Sequence, residues 1–204
     1  MKSLLFSFAL LIVAATTVQA QSVKTQALLD SIQGEYAVDD NQNLTYSRVV
    51  ECPGMTKKQI YDRAQAWFVY NYNSGKAVIQ VQDSTTGTVI GKGYYDNVHT
   101  GMIMLTTLEC DAWHIVRIDA KDEKYRVILT LTEWDRVNHG SNGSATWPNA
   151  RVSNEYPFNK KGKYKNIMGQ AFFALHNRAQ ATFVSLEKSV KEGSTSKALE
   201  QGDW

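Results

Sequence analysis

Cys110 and His114 stand four residues apart, with Glu109 and Asp111 on either side of the cysteine. A thiol needs a neighbouring base to become a strong nucleophile at neutral pH, and imidazole is a common partner. On a continuous strand, residues four apart share a face but lie well separated along it, a poor spacing for proton transfer. Glu109, Asp111 and His114 are the densest group of metal donors, yet their spacing matches no standard site, and His99, His139 and His176 are scattered. The simpler reading of His114 is a half-buried strand residue beside Val116 and Ile118. Glu133 and Asp135 are acids of the type used in glycoside chemistry, which needs a set separation across the substrate; here they read as a solvated strand end. Gly-x-Ser-x-Gly is absent. Ile90-Gly91-Lys92-Gly93 lacks the longer glycine pattern and following helix of a phosphate loop. A bulge or a close backbone approach is expected there instead. No catalytic residue, metal site or cofactor is assigned.

Recognition chemistry is more visible. Lys160-Lys161-Gly162-Lys163-Tyr164-Lys165 is the chain's basic cluster. Together with Trp147, Tyr156 and Phe158 it forms a candidate partner surface suited to an anionic glycan, a lipid headgroup or an acidic protein. The plainer alternative is a solvated loop whose aromatic residues pack it down.

The elements that must position these residues follow from periodicity. Thr56 and Gln59 form a capping box, and Met55 and Ile60 a hydrophobic staple around it. Ile60, Ala64, Trp67 and Phe68 then recur at helical spacing, with Asn73-Ser74-Gly75 as the stop. Ala77, Ile79 and Val81 alternate as a strand, and Thr88-Val89-Ile90 resumes one after a loop. Glu35–Val38, Leu44–Val50, Met102–Leu108, Ala112–Ile118 and Tyr125–Trp134 also read as strands. In the last, Tyr125, Val127, Leu129 and Leu131 share one face. Short connections imply an antiparallel meander. Residues 21–33 are a short helix or an arm. Residues 137–165 lack periodicity and read as a long loop. Asn166 is placed to cap a final helix over residues 166–192, whose buried stripe is Met168, Phe172, Leu175, Ala179, Phe183, Leu186 and Val190. Residues 193–204 read as a flexible tail.

The chain has 204 residues, enough for one domain with a real core. Its start is set apart: Lys2, an apolar run from Leu4 to Ala15, then Val18-Gln19-Ala20 before Gln21, the layout of a signal peptide over residues 1–20. That run is short for a membrane span. The expectation is an exported protein, periplasmic or extracellular, with no transmembrane span in its mature chain. Removing Lys2 leaves 21 basic against 20 acidic residues, a balance that argues against a nucleic-acid partner. Cys52 and Cys110 either form one disulfide or sit as separate buried thiols.

The run Cys52-Pro53-Gly54-Met55-Thr56-Lys57-Lys58-Gln59-Ile60-Tyr61-Asp62-Arg63-Ala64-Gln65-Ala66-Trp67 resembles a secreted bacterial family of unknown function with a TBP-like fold, common in Bacteroidetes-type Gram-negative bacteria. Ile90-Gly91-Lys92-Gly93 and Lys121-Asp122-Glu123-Lys124-Tyr125-Arg126 are similar to it as well. The likeness covers roughly residues 44–134. Glu123 departs from the pattern, standing where glycine is common. The resemblance implies a curved antiparallel sheet backed by helices and supplies no catalytic residues. A TBP-like fold does not itself imply DNA binding.

The combined expectation is a single α+β domain over residues 21–192, with an antiparallel sheet packed against helices. Its expected role is an exported non-catalytic binding module for an unknown protein, a glycan or a small apolar ligand held between sheet and helix. A hydrolase with a non-standard site and a structural envelope role are the alternatives.

Overall fold

The Thr56 capping box forms as its residue types dictate. The Gln59 amide donates to Thr56 Oγ1 at 3.3 Å, and Gln59 Oε1 accepts from the Thr56 amide at 2.9 Å. These bonds satisfy donors that a helix start otherwise leaves orphaned. Helix α2 (Lys57–Asn71) follows, with Ile60, Ala64, Trp67 and Phe68 buried. It is preceded by a helix α1 over residues 22–31. The computed structural model describes residues 22–72, 78–140 and 143–193. The expected signal peptide, the Asn73-Ser74-Gly75 stop, Ala77 and residues 194–204 lie outside the described residues.

Seven strands make one antiparallel sheet: β1 (Ala37–Val38), β2 (Leu44–Glu51), β3 (Val78–Asp83), β4 (Thr88–Ile103), β5 (Thr106–Lys121), β6 (Lys124–Gly140) and β7 (Gly143–Arg151). Their order is β1-β2-β6-β5-β4-β3. β2 pairs with Lys124–Leu131 of β6, and β7 with Glu133–Gly140, so these two strands lie end to end along one edge of β6. Helix α3 (Lys165–Glu192) runs across one face with α2 beside it. All seven residues of its expected stripe are buried, in one core with Val116, Ile118, Val127, Leu129 and Leu131 of the central strands. The opposite face carries no helix among the described residues.

Three expectations are corrected. Met102–Leu108 is not a separate strand: it contains the turn joining β4 to β5, which are 16 residues each. Residues 137–165 are not one loop. β6 continues to Gly140 and β7 fills residues 143–151, followed by a short 3-10 turn at Val152–Asn154. β7 is exposed on both faces for most of its length, so its side chains carry no alternation to read; backbone pairing with β6 holds it. Finally, α3 starts at Lys165, with Tyr164 as its cap in a left-handed conformation (φ 54°), and Asn166 lies inside the first turn.

The β5–β6 hairpin turn explains Glu123. Its φ of 62° is the conformation glycine adopts without cost. The turn also clamps the start of α2. Asp122 Oδ1 accepts from the Lys57 amide at 2.7 Å, and Glu123 Oε1 accepts from the Gly54 amide at 3.2 Å.

Candidate functional site

The phase of β6 decides what reaches the helix side at its far end. From Tyr125 to Leu131 the odd-numbered residues face the core. A bulge then shifts the register, pairing His114 with Leu131 but Trp113 with Glu133. Beyond it the even-numbered residues Trp134 and Arg136 face the helix side. Cys110, Arg136 and Trp147 therefore form one cross-strand row. Arg136 meets Glu155, from the segment after β7, at 3.0 Å; the two side chains are 17% and 13% exposed. Arg136 Nε is buried without a protein partner.

This pair lies at a cleft of about 340 Å³, lined by Trp147, Asn154, Asn159, Lys161, Lys163 and Tyr164 among others. Trp147 and Tyr164 are 46% and 44% exposed, unlike the core aromatics. Its far wall is shaped by asparagine. The Asn159 amide donates to the Glu155 carbonyl at 2.9 Å, Asn159 Nδ2 to the Asn154 carbonyl at 3.0 Å, and the Lys161 amide to Asn159 Oδ1 at 3.0 Å. The left-handed backbone of Tyr164 turns the chain from this wall into α3.

The expected partner surface thus divides. Trp147, Lys161, Lys163 and Tyr164 line the cleft. Phe158 packs edge-on against Phe172 and Tyr36, with ring centroids 4.9 and 5.7 Å apart. Tyr156 donates its hydroxyl to Gln26 Oε1 at 3.1 Å, and Lys160 lies 5.4 Å above its ring. Lys165 is exposed on the first turn of α3. Arg136 and Glu155 were not legible as site residues. The bulge that turns Arg136 onto this side leaves no sequence signature, and Glu155 sits in the stretch read as loop.

Of the candidate chemical groups, the structure brings together His139 and Glu109, with Nε2 and Oε2 3.2 Å apart, but separates the Glu109, Asp111 and His114 set. His114 faces the helices, whereas Glu109 and Asp111 point from the other face of β5, so the three do not converge. Among the described residues no group of three or more His, Cys, Asp or Glu is placed to hold a metal. His114 Nε2 and Tyr72 Oη are hydrogen-bonded at 2.9 Å, and burial pushes the imidazole pKa down to about 3. Cys110 is buried as well, which pushes its thiol up to about 12, the reverse of nucleophile activation. Asp111 and Asp135 face each other across β5 and β6. Both accept from the Tyr94 hydroxyl, at 3.1 and 3.3 Å, and burial raises the Asp111 pKa. Glu133 pairs opposite Trp113. Gly91 and Gly93 are in regular register with β5, while on the β3 side the register shifts between Ile79 and Val81, opposite Gly91 and Ile90, so a bulge does lie at this segment. The missing side chains of the two glycines make room for rings rather than for backbone: Phe68 over Gly91, His114 and Tyr72 over Gly93.

Phe172, Leu175 and Phe183 are buried between sheet and α3, and an open concavity of about 260 Å³ remains beside them, lined by Tyr94, Tyr95, Arg178 and Thr182. Among the described residues no helix is long and apolar enough to cross a membrane.

An antiparallel sheet with helices on one face and a long C-terminal helix is an α+β domain of TBP-like fold. Residues 46–133 match the family described as a domain of unknown function (DUF4468) with TBP-like fold. The chain is also similar to a DUF4468 family protein from Bacteroides ovatus, with a TM-score of 0.55 at 15% identity over 81% of this chain and 94% of that one. A TBP-like protein from Parabacteroides distasonis gives a TM-score of 0.48 at 15% identity, over 73% of this chain and 96% of that one. No curated protein matches the chain.

Proposed function

We propose that the chain is an exported binding module whose ligand is an acidic saccharide seated in the cleft between Trp147 and Tyr164. The observation that carries this reading is the pairing of two half-exposed rings with Lys161, Lys163 and the Arg136–Glu155 pair around one concavity. Flat aromatic faces suit the apolar faces of sugar rings, asparagine and backbone groups suit hydroxyls, and the cationic excess selects a carboxylate or sulfate. A largely apolar site with a few convergent polar groups is the common pattern for small ligands, and this cleft departs from it toward polarity, as a saccharide demands. Export rests on Lys2, the apolar run from Leu4 to Ala15 and Val18-Gln19-Ala20.

Titration calorimetry with polyuronate and sulfated oligosaccharides, and with neutral oligosaccharides as controls, tests the reading. The acidic probes should bind, and Trp147→Ala or a combined Lys161→Glu and Lys163→Glu change should each weaken binding by about tenfold or more. Equal binding of neutral probes, or no effect of Trp147→Ala, would overturn it. N-terminal sequencing of the chain recovered from a bacterial periplasm tests export, with Gln21 expected first.

A further inference from the structure

The β4–β5 hairpin ends in a run without charge. From Asn97 to Leu108 there is no Asp, Glu, Lys or Arg. At its turn Met102, Met104 and Leu105 are 75%, 91% and 92% exposed. Apolar residues scattered singly over a surface need no explanation, but three large ones gathered on one projecting tip mark a contact surface. The turn is built to hold them outward. Thr106 Oγ1 donates to the Ile103 carbonyl at 2.9 Å, Met104 takes a left-handed backbone (φ 54°), and Ile103 packs inward against the core.

The basic cluster lies at the same end of the molecule. Gly101, at the base of the tip, is in close approach to Ile167 in the first turn of α3, and its missing side chain leaves room for that residue. Lys165 opens the same turn, and Lys161 and Lys163 precede it, all exposed. Leu108, opposite Gly101 on β5, lines the cleft together with Lys161 and Lys163. Leu105 is three residues further along, about 10 Å at strand rise.

We propose that this end of the molecule docks on an anionic lipid bilayer, with Met102, Met104 and Leu105 entering the acyl boundary and Lys161, Lys163 and Lys165 meeting headgroup phosphates. An uncharged apolar tip can enter hydrocarbon without carrying a charge with it, and thioether and leucine side chains are at home there. Lysines around the point of entry add the attraction to an anionic surface that a small apolar anchor needs to hold. A flat bilayer also requires no complementary pocket, which a protein partner of this projecting tip would have to provide. Lys161 and Lys163 also line the saccharide cleft, but the tip residues do not, so variants of the tip test this inference separately from that reading.

Vesicle flotation tests it, using phosphatidylethanolamine with phosphatidylglycerol and, separately, phosphatidylcholine alone. The chain should float with the anionic vesicles. Partitioning should fall about tenfold or more when Met102→Ser, Met104→Ser and Leu105→Ser are combined, and should weaken as salt screens the lysines. Wild type and variant share one N-terminus, so the difference between them belongs to the tip. The triple variant should keep the wild-type melting temperature and saccharide binding, because its residues lie outside core and cleft. As a second readout, an environment-sensitive fluorophore on Leu105→Cys should shift to the blue with anionic vesicles. Equal flotation of wild type and triple variant, or no flotation of either, would overturn the proposal. So would a concentration-dependent dimer that the triple variant abolishes without any vesicle binding, since the tip would then be a contact between copies.

Discussion

The imidazole of His114 stacks on the ring of Tyr95 with centroids 3.8 Å apart and planes 15° from parallel. Tyr72 closes the other side through its bond to Nε2, and Thr182 of α3 holds the Tyr95 hydroxyl at 2.5 Å. The cluster ties the end of α2, two central strands and α3 into one contact. His114 Nδ1 is buried there without a partner.

That environment has a consequence in acid. The folded-state pKa of His114 lies far below its ordinary value, because burial penalises the imidazolium. Between about pH 6.5 and 3 the unfolded chain takes up a proton that the folded chain refuses, so stability falls as pH drops through this window and is unaffected above it. The shift corresponds to a loss on the order of 3–5 kcal/mol from this one group. Urea unfolding at a series of pH values should show it. In His114→Leu the slope between pH 6.5 and 4 should be shallower than in wild type; parallel slopes would show that the imidazole is not buried neutral.

Gly93 is the tightest point of the same cluster. A methyl group there would lie 2.5 Å from His114 Nε2 and 2.5 Å from Tyr72 Cε1. Both rings are held on several sides, so they cannot move away cheaply. Gly93→Ala should cost about 1–3 kcal/mol by overpacking, even though alanine suits a strand better than glycine does. A denaturation midpoint equal to wild type would show that the rings relax.

At the opposite end of the sheet, Asp122 supplies a helix cap from a different element. Its carboxylate accepts from the first amide of α2, where a negative charge also meets the positive end of the helix. Asp122→Ala should destabilise the domain by about 1 kcal/mol. Asp122→Asn, which keeps the acceptor and loses the charge, should cost less. Equal losses in the two variants would assign the effect to charge alone.

The two cysteines are free and buried, and the fold explains why they stay unpaired. Cys52 donates its amide to the Glu123 carbonyl, next to the β5–β6 turn. Cys110 lies on β5 eleven residues before Lys121, about 35 Å along the strand, whereas a disulfide needs Cα atoms within about 7 Å. Protein recovered from an oxidising compartment should therefore show two titratable thiols after denaturation and almost none before it. Loss of both thiols with no change in oligomeric state would contradict this arrangement.

Much of the scaffold was readable from local chemistry. Thr56 and Gln59 specify the start of α2 because a capping box needs only residue types three apart. The α3 stripe from Met168 to Val190 and the alternation from Tyr125 to Leu131 were legible because one buried face imposes one period. The run from Cys52 to Trp67 that carries the family resemblance holds the same signals, a turn at Pro53-Gly54 and the cap of α2.

What the local pattern leaves open depends on partners distant in sequence. β7 forms because β6 offers it a free edge, and an exposed edge strand imposes no pattern on its side chains. The bulge between Leu131 and Glu133 reverses which residues face the helices, and only pairing with β5 places it. Through that reversal Arg136 joins Glu155 and Trp147 at the cleft, while Asp135 joins Asp111 on the other face. The sequence by itself determined the capped helix, the long amphipathic helix, the central strands and a basic aromatic stretch, because each is written in contacts a few residues apart. Only the tertiary structure decided that Phe158 packs inward while Trp147 stays exposed, that the two thiols are remote, and that an apolar hairpin tip lies beside the lysines, because each is a relation between segments that meet only when the sheet closes.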